Sequence, residues 1–209
     1  MTVRSRILSQ FGHPRGPLGA LAGVVMARRE SNRRRNAWTV EQLDIAPTDR
    51  VLEIGYGPGL AVAHAVAAAS DGRVVGIDRS EVMRRQATRR NRRAVAAGRA
   101  TILVGGAVDL LPDHEGGFDK AYAVNVAMFW PDQVATLRLI GRLLAPGGTI
   151  ALTQQPRGSG VTEEHTRLAG ERLADALRGA GFTEVEVRVL PLTPVSVACA
   201  LGRVPAPAP

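Results

Sequence analysis

Short apolar runs alternate with helical patterns along most of this chain. Val51-Leu52-Glu53-Ile54-Gly55 is the first run, bounded upstream by Pro47 and Asp49. Arg73 to Ile77, Thr101 to Val104, Phe118 to Val124 and Thr149 to Thr153 repeat the form. Each is four to seven residues long and apolar or β-branched on both faces, as strands buried in a parallel sheet are.

Between the runs the period changes. Leu60 to Ala69 is alanine-rich and stops at Ser70-Asp71-Gly72. Ser80 is placed to cap a helix over Glu81 to Ala97, and Gly98 ends it. Met83, Ala87, Asn91 and Ala94 share one face of that helix, which leaves most of its arginines outward. Pro131 opens a further helix through Leu144, closed by Ala145-Pro146-Gly147-Gly148. Alternation on this scale predicts an α/β fold: a doubly wound, mostly parallel seven-stranded sheet with helices on both faces.

The last third departs from that rhythm. After a helix over Glu163 to Arg178, the strand-like stretches Thr183 to Val189 and Val195 to Gly202 are separated only by Pro191-Leu192-Thr193-Pro194. A parallel crossover needs about a dozen residues, so these two strands form an antiparallel hairpin. Residues 1–45 read as a helical cap, 46–203 as the main domain and 204–209 as a disordered tail.

Composition narrows the function classes. The chain of 209 residues is 45% hydrophobic and 22% charged, ordinary values for one globular domain. The lone Cys199 cannot form an internal disulfide, and the four histidines show no metal-ligand spacing, so no structural metal is expected. The net charge of +8 is uneven: residues 1–36 carry eight arginines against Glu30 alone, and residues 79–99 carry eight more against Glu81. Such clusters suit an anionic partner, whether nucleic acid, the lipid headgroups of an anionic membrane surface or an acidic substrate. Yet Lys120 is the only lysine, which makes arginine the default surface cation here. The apolar run Leu18 to Ala27 is well short of the roughly 20 residues a membrane span needs, and the expected location is cytoplasmic.

The segment that carries chemistry is Glu53-Ile54-Gly55-Tyr56-Gly57-Pro58-Gly59, between the first strand and a helix. Its glycines permit a tight turn and a close approach of ligand to backbone. A dinucleotide fingerprint needs glycine or alanine three residues after Gly57, where this chain has Leu60. Pro58 also removes one N–H from the turn, so a cofactor without phosphates suits it better. Asp78, at the end of the second strand, is placed to accept hydrogen bonds from ribose hydroxyls.

With these residues the chain resembles the class I S-adenosylmethionine-dependent methyltransferases. The matching stretches are Val51 to Gly59, Val75 to Ser80 with Met83, Leu111-Pro112 before Phe118-Asp119, Leu143 to Gly148, and Ala180-Gly181-Phe182. The resemblance implies S-adenosylmethionine as cofactor. It implies that Gly55 and Gly57 bring backbone to the amino-acid end of that cofactor, with Glu53 nearby, and that Tyr56 and Gly59 belong to the same binding loop. Asp78 would bind the ribose, while Arg79 and Met83 flank the adenine. Gly106, Ala107 and Val108 would complete the adenine contact, although Gly106 stands where the family often has an aspartate. Backbone groups alone are then expected to hold the ring; Asp109 acting from farther along is the alternative. Asn125 would face the methyl-donor region.

Methyl transfer needs the acceptor held in line, and a general base only where the acceptor must lose a proton. Asn125 and His13 are the candidates for catalytic roles. Met26, Asn36, Trp38, Phe129 and Trp130 are expected to line the acceptor pocket. The leading expectation is a small-molecule acceptor. Methylation of RNA or a lipid headgroup on the arginine-rich faces, and cofactor binding without methyl transfer, are the alternatives. Aromatics make up only 4% of the chain, which disfavours stacking on RNA. Oligomeric state stays open, a homodimer included.

Overall fold

The computed structural model describes residues 30–206. Helix α1 (Glu30–Glu41) precedes strand β1 (Arg50–Ile54), and α2 (Leu60–Ala68) leads to β2 (Arg73–Asp78). Helices α3 (Glu81–Arg90) and α4 (Arg92–Ala96) run into β3 (Ala100–Val104), and the short α5 (Leu111–His114) into β4 (Phe118–Val124). Then follow α6 (Gln133–Leu143), β5 (Leu144–Gln154), α7 (Glu163–Gly179), β6 (Thr183–Leu190) and β7 (Val197–Arg203). None of the described helices is long and apolar enough to cross a membrane.

The strands form one sheet in the order β3-β2-β1-β4-β5-β7-β6. Strands β1 to β5 pair in parallel, while β7 lies antiparallel to both β5 and β6. The expected doubly wound sheet and terminal hairpin are both present. Alternate residues of β1 feed two apolar layers: Leu52 and Ile54 join Leu137, Ile140 and Leu177, whereas Val51 joins Val62, Met83 and Tyr122. That is why the sequence runs are apolar on both faces.

Three boundaries differ from expectation, each for a local reason. The helix drawn over 81–97 breaks at Asn91, whose side-chain amide donates to Gly59 O at 3.0 Å and Ala87 O at 2.9 Å. Helix α6 starts at Gln133 rather than Pro131, because Asp132 caps it by accepting from Ala135 N at 2.9 Å. Strand β5 begins at Leu144, which pairs with Phe118, and the Ala145 to Gly148 turn is absorbed as a register shift before Thr149 meets Lys120. Sheet contacts also continue past β7, since Val204 exchanges hydrogen bonds with Gly147 and Gly148.

Candidate functional site

The strand order reverses between β1 and β4, and a cavity of about 850 Å³ lies outside the carboxyl ends of the strands there. This is the crevice where open α/β sheets hold ligands, and the volume falls at the upper end of the roughly 300–1,000 Å³ usual for small-molecule sites. Its walls come from Gly55 after β1, Asp78 closing β2, Gly105 after β3, Asn125 after β4 and Gln155 after β5. Sequence positions far apart therefore meet because each ends a strand.

The glycine loop divides its work. Gly55 (φ +74°) passes so close to Val126 that an added Cβ would collide with that side chain. Gly57 (φ +49°) lines the cavity, and a Cβ there would meet nothing within 4 Å. Gly59 (φ +75°) turns away from the cavity: a Cβ would lie 2.8 Å from Ala87 Cβ and 2.9 Å from Ala87 Cα. Contrary to expectation, Gly59 is not in the wall; its lack of a side chain lets α2 and α3 approach.

Two carboxylates stand in the wall. Asp78 accepts from Gly57 N and from Ser80 N, both at 2.9 Å, which fixes the carboxylate against the glycine loop. Glu53 is fully buried and accepts from the Tyr122 hydroxyl at 2.8 Å. Burial pushes Glu53 up to about 8, and the nearby Asp78 charge adds to the rise, although the Tyr122 bond opposes it. Tyr56 packs beneath Gly76 and donates to Leu103 O at 2.9 Å, so its hydroxyl braces the sheet while the residue still lines the cavity.

Met83, buried in the wall, and Arg79, whose guanidinium lies about 4.0 Å from a Cβ built on Gly106, bracket one end of the cavity. Gly106 and Ala107 line it there, but Val108 points elsewhere: it is 57% exposed and outside the wall. Asp109 accepts from Gly106 N at 2.8 Å and also lies outside the wall, so it serves the backbone.

At the other end, Asn125 adopts φ +56°, and its Oδ1 accepts from Gln155 N at 2.8 Å, tying the end of β4 to the end of β5. Phe129 and Trp130 line the cavity as expected, and so does Asn36, which donates to Asn32 O at 2.6 Å. Trp38 does not. It packs against the apolar layer containing Val40 and Leu43, so its indole contributes to the seat of α1. His13 and Met26 lie outside the described residues.

Sequence reasoning missed a polar cluster in this end of the cavity. Arg35 is only 3% exposed; it donates to Gln155 Oε1 at 2.5 Å and to Asn32 Oδ1. Arg157 donates to the same Asn32 oxygen at 3.0 Å, and His165 adds its ring to the wall. The signal was present: Asn32, Arg35 and Thr39, spaced by three and four, put polar residues on the buried face of α1. His165 Nδ1 lies 3.2 Å from Thr162 N and 2.8 Å from the Thr162 hydroxyl, which anchors that edge of the ring at the start of α7.

The arginines of α3 and α4 are partly committed to the fold. Arg84 and Arg85 pair with Glu81 and Arg90 donates to Pro58 O, while Arg99, just past α4, donates to Ser70 O.

Comparison with known proteins gives a consistent picture. A family model described as "Methyltransferase domain" matches residues 51–148. An uncharacterized methyltransferase of Bacillus subtilis, YdaC, is 32% identical over 89% of this chain and 99% of its own length. The 27-O-demethylrifamycin SV methyltransferase of Amycolatopsis mediterranei is 31% identical over 62% of this chain and 48% of its own. Among solved structures, a SAM-dependent methyltransferase from Aquifex aeolicus superposes with a TM-score of 0.69 at 15% identity, covering 87% of this chain and 98% of that one.

Proposed function

The chain belongs to the class I S-adenosylmethionine-dependent methyltransferases, and from that premise we propose that its acceptor is a small molecule held between the ends of β4 and β5. The observation that carries this reading is a continuous cavity that joins the glycine loop to Asn125, Phe129 and Trp130.

The wall suits this cofactor. Asp78 gives one half of the cavity acidic character, and Glu53 beside it ionises when an ammonium arrives, which matches an ammonium and a ribose and opposes a pyrophosphate. Space opens at Gly57, where the ligand backbone contact belongs. Arg79 and Met83 then flank the adenine, with Gly106 and Ala107 beside it. When bound, S-adenosylmethionine supplies a methyl group on a sulfonium sulfur, electrophilic enough that transfer depends chiefly on orientation.

The chain's own residues supply that orientation. Asp78 holds the ribose, Glu53 faces the amino-acid end, and Asn125, locked by Gln155 N, fixes the floor below the reacting atoms. Phe129 and Trp130 cover the acceptor with apolar surface and exclude water. His165, in the same wall, is placed to hydrogen-bond the acceptor.

Two further points support a small acceptor over a macromolecule. The arginine-rich helices spend several side chains on internal contacts. A partial relative is named for a small-molecule substrate, 27-O-demethylrifamycin SV. The test is to incubate the enzyme with methyl-labelled S-adenosylmethionine and a bacterial extract, then separate small molecules, RNA and lipid. Label is expected in the small-molecule fraction. Label confined to RNA or lipid overturns the reading.

A further inference from the structure

Arg35 is a charged side chain in a place where charge is costly. It is 3% exposed in the cavity wall, and among the described residues no carboxylate pairs with it. Among the described residues its acceptors are the neutral amide oxygens of Gln155 and Asn32. Its Nε is buried and has no hydrogen-bond partner among the described residues. A guanidinium carries more N–H donors than these two acceptors satisfy, and leaving them unmatched in a buried site is unfavourable.

The surroundings make the arrangement more costly. Arg157 lies at the exposed rim of the same cavity and shares Asn32 Oδ1 with Arg35. Burial and the Arg157 charge pull Arg35 down to about 9, which leaves it protonated at neutral pH. Two like charges converge on one amide oxygen, and Gln155, which could relieve them only as a neutral acceptor, is itself fixed by donating to Val195 O at 2.8 Å. A buried cation without a counter-ion is a group waiting for an anion.

We propose that Arg35 and Arg157 form an oxyanion pocket, and that the methyl acceptor carries the carboxylate or phosphate it binds. This deepens the small-molecule reading and rests on it. An oxyanion could also come from the cofactor's own carboxylate. The position favours the acceptor: Arg35 is bonded to Gln155, beyond the end of β5, whereas the glycine loop follows β1, with β4 between them. Bidentate geometry is what a guanidinium offers a carboxylate or phosphate, and the second arginine at the rim would neutralise a dianion.

The test uses inorganic phosphate and acetate as probes, titrated calorimetrically into the full chain with and without saturating S-adenosylhomocysteine. Phosphate is expected to bind equally well in both conditions. Arg35→Met and Arg157→Gln should each weaken phosphate about tenfold or more while changing S-adenosylhomocysteine affinity less than about twofold. Arg157 is exposed, so its variant keeps the test valid if Arg35→Met misfolds. Competition between phosphate or acetate and S-adenosylhomocysteine, with both variants losing cofactor affinity, overturns the assignment to the acceptor. Unchanged phosphate binding in the variants overturns the pocket itself. If the wild type binds no S-adenosylhomocysteine, the methyltransferase reading fails instead, and phosphate binding in its absence still reads the pocket.

Discussion

The carboxylate of Glu53 and the hydroxyl of Tyr122 meet at 2.8 Å, fully buried, between neighbouring strands β1 and β4. The pair puts a titrating group in the cavity wall, with Glu53 raised to about 8. At neutral pH the ligand-free carboxyl is therefore mostly protonated. An ammonium arriving beside it favours the ionised form, so cofactor binding should release a proton at about pH 7. Calorimetry of S-adenosylhomocysteine binding in two buffers of different ionisation heat measures this. Glu53→Gln should abolish the release; an equal release in that variant contradicts it.

The same group sets a stability trend. Its folded-state value lies above the ordinary 4.5, so its contribution is complete below that value and is lost as pH rises through about 8. Thermal melts of the ligand-free protein across that window should therefore fall more steeply for the wild type than for Glu53→Gln. Parallel curves would show that Glu53 does not titrate there.

Gly57 and Gly59 separate binding from folding. At Gly59 a side chain meets Ala87 as well as an unfavourable φ, so Gly59→Ala should lower Tm by about 5–15 °C. At Gly57 only the φ of +49° opposes alanine, so Gly57→Ala should lower Tm by a few degrees while weakening S-adenosylhomocysteine about tenfold or more. Melting curves and titrations on both proteins decide it; a reversed order contradicts the division of labour.

Asp78→Asn keeps the size and one acceptor oxygen but loses the charge that ribose hydroxyls would meet. S-adenosylhomocysteine affinity should fall about 10–100-fold, with Tm lowered by only a few degrees as one of the two backbone N–H groups loses its acceptor. A large drop in Tm without loss of affinity would mean that Asp78 mainly braces Gly57 N and Ser80 N.

The fold was legible because β1 to β5 are buried on both faces and the hairpin turn is too short for a crossover. The cofactor half was legible because its residues follow strand ends in sequence: Gly55, Gly57, Asp78 and Gly106 each stand where a strand stops. The acceptor half was harder. Arg35 read as one of a row of surface arginines, and only the packing of α1 against the sheet makes Arg33 and Arg34 exposed and Arg35 buried. Trp38, one turn further on, looked like a pocket residue because it is large and amphipathic, yet its position on α1 packs it, half-buried, against the core layer of Val40 and Leu43. Side-chain direction on a short helix depends on tertiary docking, which periodicity of four or five polar residues does not fix.

Trp38 and Trp130 offer the most direct test of a cavity with separate cofactor and acceptor halves. Titration of S-adenosylhomocysteine, together with kcat/KM for the acceptor found in the small-molecule fraction, should be measured for Trp130→Ala and Trp38→Ala. Trp130→Ala should retain cofactor affinity within about twofold and lose about tenfold or more in kcat/KM, whereas Trp38→Ala should act chiefly by lowering Tm. Equal losses of cofactor affinity and turnover in Trp130→Ala would contradict the account.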